Sequence, residues 1–244
     1  MSTARADTQA TQPSTPTGPM IRTLMGIAML SGFLVVLTYQ LTKPMIAENQ
    51  RRAIEAAVFQ VIPGAITRRN FLVTETSVTA VTPDTPTEGT LVYAGYDEQG
   101  NLKGVAAKAG AQGYADMIHL LYGYDADCEC IRGIKVLKLA ETPGLGDRII
   151  SDANFIANFD ALEAKLNATG ERLANPIVTV KAGTKQHPWE IDAISGATIS
   201  SKAVGKALNQ STQQLLPQLM PHIEALRNAP PPPSEAETAK AENQ

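Results

Sequence analysis

The sequence predicts an α+β protein: a single N-terminal transmembrane helix, then one domain with a mainly antiparallel sheet and flanking helices. Three observations predict it. Thr23 to Thr42 is a run of 20 uncharged residues, mostly Leu, Val, Met, Ile and Gly. Residues 71–139 alternate short β-branched, apolar segments with turn formers, the pattern of hairpins rather than of repeated βαβ units. From Ile199 onward, Ala203, Val204, Ala207 and Leu208 recur at helical spacing.

Taken in order, residues 1–19 are rich in Thr, Ser, Pro and Ala without apolar periodicity, so a disordered arm is expected. The 20-residue apolar run spans about 30 Å as a helix, enough to cross a bilayer core. Arg22 and Lys43 bracket it, and Tyr39 suits an interfacial position. The run exceeds the usual apolar region of a signal peptide, and no small-x-small cleavage site follows Leu41; a retained single span over 20–42 is expected. Arg5 and Arg22 precede it while Lys43, Arg51 and Arg52 follow, so the positive-inside rule gives no orientation. Pro44 fits the first turn of a new helix or a kink in a continuing one. Ile54, Ala57, Val58, Val61 and Ile62 then form an apolar stripe ended by Pro63-Gly64, which makes 43–64 a membrane-proximal helix.

The domain is expected over 65–228. Residues 71–81 read as one or two strands, with Pro83, Pro86 and Gly89 in a loop. Leu91–Tyr96 and Leu102–Ala109 form a hairpin around Asp97–Asn101. Ile118–Tyr122 and Ile131–Leu139 are further strands. Between them lies an acidic turn carrying Cys128 and Cys130, expected to be solvated. Two cysteines are too few for a disulfide framework and do not complete a tetrahedral metal site. Asp152–Leu166 places Phe155, Ile156, Phe159, Leu162 and Leu166 at helical spacing, with the aromatics in the core. Ile177–Lys181 is a short strand. A helix from the 198 region is expected to run to about Gln214, broken by Pro217 and Pro221, with a last turn near Arg227. The Pro-rich segment 229–244 reads as a disordered tail.

Composition excludes several functions. With a net charge of −3 and no dense Lys/Arg cluster, nucleic acid is not an expected partner. His119, His187 and His222 lack metal-ligand spacing. No G-x-S-x-G elbow or acid/His pairing supports a hydrolase built on Ser195 or Ser200, and no catalytic acid, base or nucleophile stands out.

Two stretches carry chemistry. In Asp192-Ala-Ile-Ser-Gly-Ala-Thr-Ile-Ser-Ser201, Gly196 permits a tight turn and four hydroxyls fall within seven residues at the start of the amphipathic helix. A helix N-terminus favours a phosphate; an ordinary Ser or Thr cap is the plainer reading. In Glu141-Thr-Pro-Gly-Leu-Gly-Asp147, Pro143-Gly144 fits the centre of a type II turn, and Gly146 allows a close backbone approach.

Asp192, Ser195, Gly196, Ala197 and Thr198, continued by Ser200 and Ser201, resemble the flavinylation motif of FMN-binding domains, where FMN is attached through its phosphate to the threonine hydroxyl. The resemblance implies covalent FMN on Thr198. An unaided threonine is a poor nucleophile, in keeping with a family in which a separate Mg-dependent flavin transferase moves FMN from FAD. The 141–146 segment resembles the ETPGLG loop of the same family, implying that Glu141, Thr142, Gly144 and Leu145 lie at the flavin. The Gly113-Tyr114 turn is a further, partial match, with Ala115 and Asp116 where more glycine is expected. Leu37-Thr-Tyr-Gln-Leu-Thr-Lys-Pro44 and Ile46–Gln50 resemble the RnfG component of the Rnf electron-transport complex. The NqrC component of the sodium-pumping NADH:quinone oxidoreductase shares the flavin motif and matches the anchor less well. What this implies is a single-pass component of the inner (cytoplasmic) membrane, in contact with lipid and with the other membrane subunits of an Rnf complex, its domain on the periplasmic side. It would relay electrons within a ferredoxin:NAD oxidoreductase and turn over nothing alone. A non-redox anchor or assembly protein is the alternative from another class.

Overall fold

A computed structural model describes residues 17–81 and 89–229. The expected arm up to residue 16, the loop at Pro83 and Pro86, and the tail from residue 230 lie outside the described residues. Two compact units divide between Arg51 and Arg52.

The first unit is helical. Helix α1 (Thr17–Val61) begins in it and is long and apolar enough to cross a membrane. Its large apolar side chains are exposed, among them Met20, Leu30, Phe33 and Leu41. Thr38 and Thr42 turn their hydroxyls back onto the carbonyls of Leu34 and Thr38, at 2.8 and 2.9 Å, so neither presents a free donor. Of the two readings of Pro44, the continuing helix holds: α1 runs through it. Proline deletes one backbone bond, while the Ala-, Glu- and Arg-rich run beyond it propagates helix strongly.

In the second unit the end of α1 leads into a seven-stranded antiparallel sheet. Its strands are β1 (Thr67–Val73), β2 (Val78–Ala80), β3 (Thr90–Tyr96), β4 (Leu102–Gln112), β5 (Met117–Asp125), β6 (Cys130–Lys138) and β7 (Leu162–Glu163), in the order β2-β1-β3-β4-β5-β6-β7. The strand period of two sorts the sheet into two faces. Tyr93, Ala106 and Leu121 pack with Ala57, Val58, Val61 and Ile62 of the arriving chain. Their neighbours Val92, Val105, Ala107, Leu120 and Tyr122 face the larger core with helix α3 (Thr198–Leu219). Gly123 lets Val61 lie directly on β5, since a Cβ there would overlap the Val61 carbonyl. On the α3 face, Tyr122 Oη lies 2.9 Å from Ser211 Oγ, and Tyr96 Oη donates to the Leu226 carbonyl at 2.9 Å.

Three expectations are corrected. Asp152–Leu166 is not one helix: α2 (Ala153–Ile156) is capped by Asp152, a 3-10 turn covers Ala157–Phe159, and β7 follows. Asn158 explains the stop, because its amide bonds the Phe155 carbonyl at 3.0 Å and the Asp192 N–H at 3.0 Å, diverting the chain. Leu162 then pairs with Ile131 at the open sheet edge. Phe155 and Phe159 are core residues, as expected, in a T-shaped contact at 5.3 Å. Helix α3 passes Gln214 and Pro217 to reach Leu219, because burying Leu215, Leu216 and Leu219 outweighs the bond that proline removes. A 3-10 turn (Met220–His222) and α4 (Ile223–Arg227) complete the unit.

The third correction is at the β5–β6 turn, where Cys128 and Cys130 are joined as a disulfide. So short a loop limits its contribution to about 1.6 kcal/mol by chain entropy, against about 3 kcal/mol for a 15-residue loop. Glu129 between them has φ 52°, a left-handed backbone that costs a non-glycine residue about 1–2 kcal/mol.

Candidate functional site

Two glycine turns build the site. The Leu145 N–H donates to the Thr142 carbonyl at 3.1 Å and Gly144 has φ 77°, the type II turn expected from Pro143-Gly144. The Ala197 N–H donates to the Ile194 carbonyl at 3.0 Å with Gly196 at φ 86°, a second turn that delivers the chain into α3 after strand β9 (Glu190–Asp192), itself paired in parallel with β8 (Val178–Val180). Helix α3 starts at Thr198, its N-cap is Ala197, and no side chain caps it. The plain capping reading of Ser195 or Thr198 therefore does not hold. Thr198 is exposed at the first helical position, beside N–H groups at the positive end of the helix dipole.

A groove of about 510 Å³ opens over this helix start. Its lining includes Thr142, Gly196, Ala197 and Thr198, together with the apolar Leu145, Ile199 and Tyr114. The last three are 52, 53 and 69% exposed, so they wall the groove without belonging to the core. A volume of this size, an apolar wall and one polar end are what a medium-sized ligand site offers.

Behind the groove, Glu141 holds its parts together. One carboxylate oxygen accepts the N–H groups of Tyr114 and Ala115 at 2.9 and 3.1 Å, and the other accepts the Ser200 hydroxyl at 2.6 Å. The side chain is buried between Gly113 and Gly146; a Cβ at Gly146 would come within 2.5 Å of the carboxylate and 2.6 Å of Ser200 Oγ. Gly146 thus approaches protein closely.

The remaining expected residues divide clearly. Thr198, Gly196, Ala197, Ser200, Glu141, Thr142 and Leu145 line the groove; Asp192, Ser195, Ser201 and Gly144 do not. Asp192 accepts the N–H groups of Thr184 and Lys185, both at 3.1 Å, and so ties down the preceding loop. Ser201 is fully buried, donating to the Ala197 carbonyl at 2.9 Å and accepting the Ile194 N–H at 3.1 Å. The Ser195 carbonyl accepts from Arg148 at 3.2 Å, and Arg148 is held by Asp152 at 2.9 Å. The Phe155 N–H, with the Arg148 guanidinium, keeps the Asp152 carboxyl below the usual carboxylate range.

Ile199 is a groove residue that sequence reasoning does not place there, because i, i+4 spacing stacks it above buried Ala203; in the first turn it stays exposed instead. Tyr114 is signalled only by its turn. Arg148 carries no signal, since its partners come from two separate segments.

Fold and groove define the class: a protein with a membrane-length N-terminal helix and an antiparallel-sheet domain that opens a ligand-sized groove over a helix start. Residues 113–213 match the FMN-binding domain family, and residues 22–61 match the RnfG N-terminal region. The chain belongs to the RnfG family, a component of Rnf-type ion-translocating oxidoreductase complexes. It is 30% identical over 199 residues to the RnfG-type component of the ion-translocating oxidoreductase complex of Methanosarcina acetivorans, covering 82% of this chain and 94% of that one. It is 38% identical over 129 residues to the corresponding component of the Na(+)-translocating ferredoxin:NAD(+) oxidoreductase complex of Acetobacterium woodii, covering 52 and 56% of the two chains. The fold is shared with NqrC of Shewanella oneidensis, at a TM-score of 0.55 and 18% identity over 75% of this chain and all of that one.

Proposed function

We propose that this chain is the membrane-anchored FMN carrier of an Rnf-type ferredoxin:NAD oxidoreductase complex, holding FMN by a phosphoester to Thr198. The uncapped start of α3, presenting an exposed Thr198 hydroxyl into an apolar-walled groove, carries the reading. The residues fit the group. The N–H groups at the helix start suit a phosphate, and Tyr114, Leu145 and Ile199 suit the faces of a flat aromatic ring system. Thr142 adds a hydroxyl to the groove lining. FMN, when bound, supplies redox chemistry that no side chain in the groove offers.

The chain's own part is position. Glu141 fixes the groove's walls against α3, Ser201 and Arg148 fix the turn at Ser195-Gly196, and the apolar wall offers a surface for a flat ring to lie against. Covalent attachment suits a carrier that is never released while electrons pass between neighbouring cofactors. An unaided threonine is a poor nucleophile, and Glu141, the carboxylate in the groove lining, is already engaged by the Ser200 hydroxyl and the Tyr114 and Ala115 N–H groups. A separate flavin transferase is therefore the expected maturation partner, and the membrane subunits of the complex are the expected assembly partners. The match of residues 22–61 to the RnfG N-terminal region favours the Rnf parent over the sodium-pumping one. The Cys128–Cys130 disulfide supports a domain on the outer side of the cytoplasmic membrane, where disulfides persist.

The test is the intact mass of the full-length protein made with and without a flavin transferase, followed by peptide mapping. A gain equal to FMN minus water on the peptide containing Thr198, lost in Thr198→Val, supports the carrier. An unmodified chain beside an active transferase would reject it and leave a non-redox anchor.

A further inference from the structure

The disulfide at the β5–β6 turn has no evident structural use. It joins residues two apart and therefore ties together nothing that β5 and β6 do not already hold. It also lies far from the groove. The segments at residues 113–116 and 139–145 meet at one end of β5 and β6, and the Cys128–Cys130 turn is at the other, about 27 Å away along a nine-residue strand.

We propose that Cys128–Cys130 is a thiol–disulfide exchange site, reduced in the folded protein by a dithiol, and not a staple. By linkage, a cross-link stabilises a fold only as much as the fold stabilises the cross-link. A three-residue loop adds little to the fold, so folding gives this bond little protection from reduction. Access differs between the two sulfurs. Cys128 is exposed whereas Cys130 is buried, so attack is directed at the Cys128 sulfur. Charge at the turn is balanced: Asp125, Asp127 and Glu129 flank the pair, Arg227 meets Asp127 at 2.5 Å, and Lys103 and Arg132 share a surface cleft with Asp125 and Asp127. A dithiol is the suited reagent because its second thiol closes a ring and resolves the mixed disulfide.

In the exchange, a thiolate of the dithiol attacks Cys128 Sγ, the S–S bond breaks, and Cys130 leaves as a thiolate that takes up a proton. The second thiol of the reagent, after losing its proton, attacks the mixed disulfide and releases Cys128. The protein gains two electrons and two protons; the dithiol becomes a cyclic disulfide. No flavin takes part, so this site and the flavin assignment stand or fall separately.

The experiment equilibrates the full-length protein in detergent with graded mixtures of reduced and oxidised dithiothreitol. Samples are quenched with acid and alkylated, and the reduced fraction is read by mass, natively and in concentrated urea. The native and unfolded midpoints should agree within about twentyfold in the dithiol ratio, the most that a loop this short contributes. A native midpoint displaced further toward dithiol would mean that the fold protects the bond, and would overturn the proposal. In the variants, Cys130→Ser should expose a Cys128 thiol that alkylates rapidly, and Cys128→Ser should leave a slow Cys130. Equal rates would overturn the directed attack.

Discussion

Glu141 and Ser200 meet at 2.6 Å across 59 residues of sequence, joining the loop after β6 to the first turn of α3. Because the same carboxylate also binds two N–H groups of the 113–115 turn, one side chain sets all three walls of the groove. Glu141→Ala strands these donors and should cost about 3 kcal/mol. Glu141→Gln keeps the shape and should cost about 1–2 kcal/mol. Urea midpoints and the flavin-to-protein ratio should fall together; an unchanged midpoint for Glu141→Ala would show that Glu141 is not the clasp.

The joint between the end of α1 and the sheet gives a steric prediction. Gly123→Ala drives a Cβ into the Val61 carbonyl, which no rotamer relieves, and should cost about 3 kcal/mol or more. Gly100→Ala, at φ 81° in open space, should cost about 1–2 kcal/mol. Thermal midpoints of the two variants decide this, and the reverse order would refute the close packing.

The apolar wall separates binding from stability. Ile199→Ala, Leu145→Ala and Tyr114→Ala remove exposed side chains, so each should change stability by no more than about 0.5 kcal/mol. Attached flavin should nevertheless become more accessible to iodide, as read by fluorescence quenching. Unaltered quenching in all three would place the ring elsewhere.

Acid should loosen the turn that carries the motif. The folded-state pKa of Asp152 is depressed, first by the Phe155 N–H and then by Arg148. A depressed carboxyl contributes stability that is full above its unfolded pKa, about 3.9, and is lost as pH falls through the lower folded value. Glu190, bound by the Gln186 N–H, and Asp116, bound by the Met117 N–H, act in the same direction. Urea midpoints should therefore hold from neutral pH to about 4 and drop below it, and Asp152→Asn should show a shallower drop. An identical acid profile for that variant would exclude Asp152 as a contributor.

Local chemistry made much of this protein legible in its sequence. Twenty uncharged residues identify a membrane-length helix because hydrophobic length is a property of consecutive residues. The hairpins of β3 to β6 follow from strand period and turn formers, and the turns at Gly144 and Gly196 follow from the φ that only glycine readily adopts. Helical spacing misleads at Leu162, where burial comes from an open sheet edge, and at Ile199, where the period is right but nothing covers the first turn. Tertiary structure alone decided the rest: Glu141 bridging to Ser200, Arg148 reaching Ser195, Asp192 turned to its own loop, and the Cys128–Cys130 bond. Each of these depends on which atoms the folded backbone brings within hydrogen-bonding or bonding distance. A linear pattern of residue types records the groups available, and the fold chooses which of them meet.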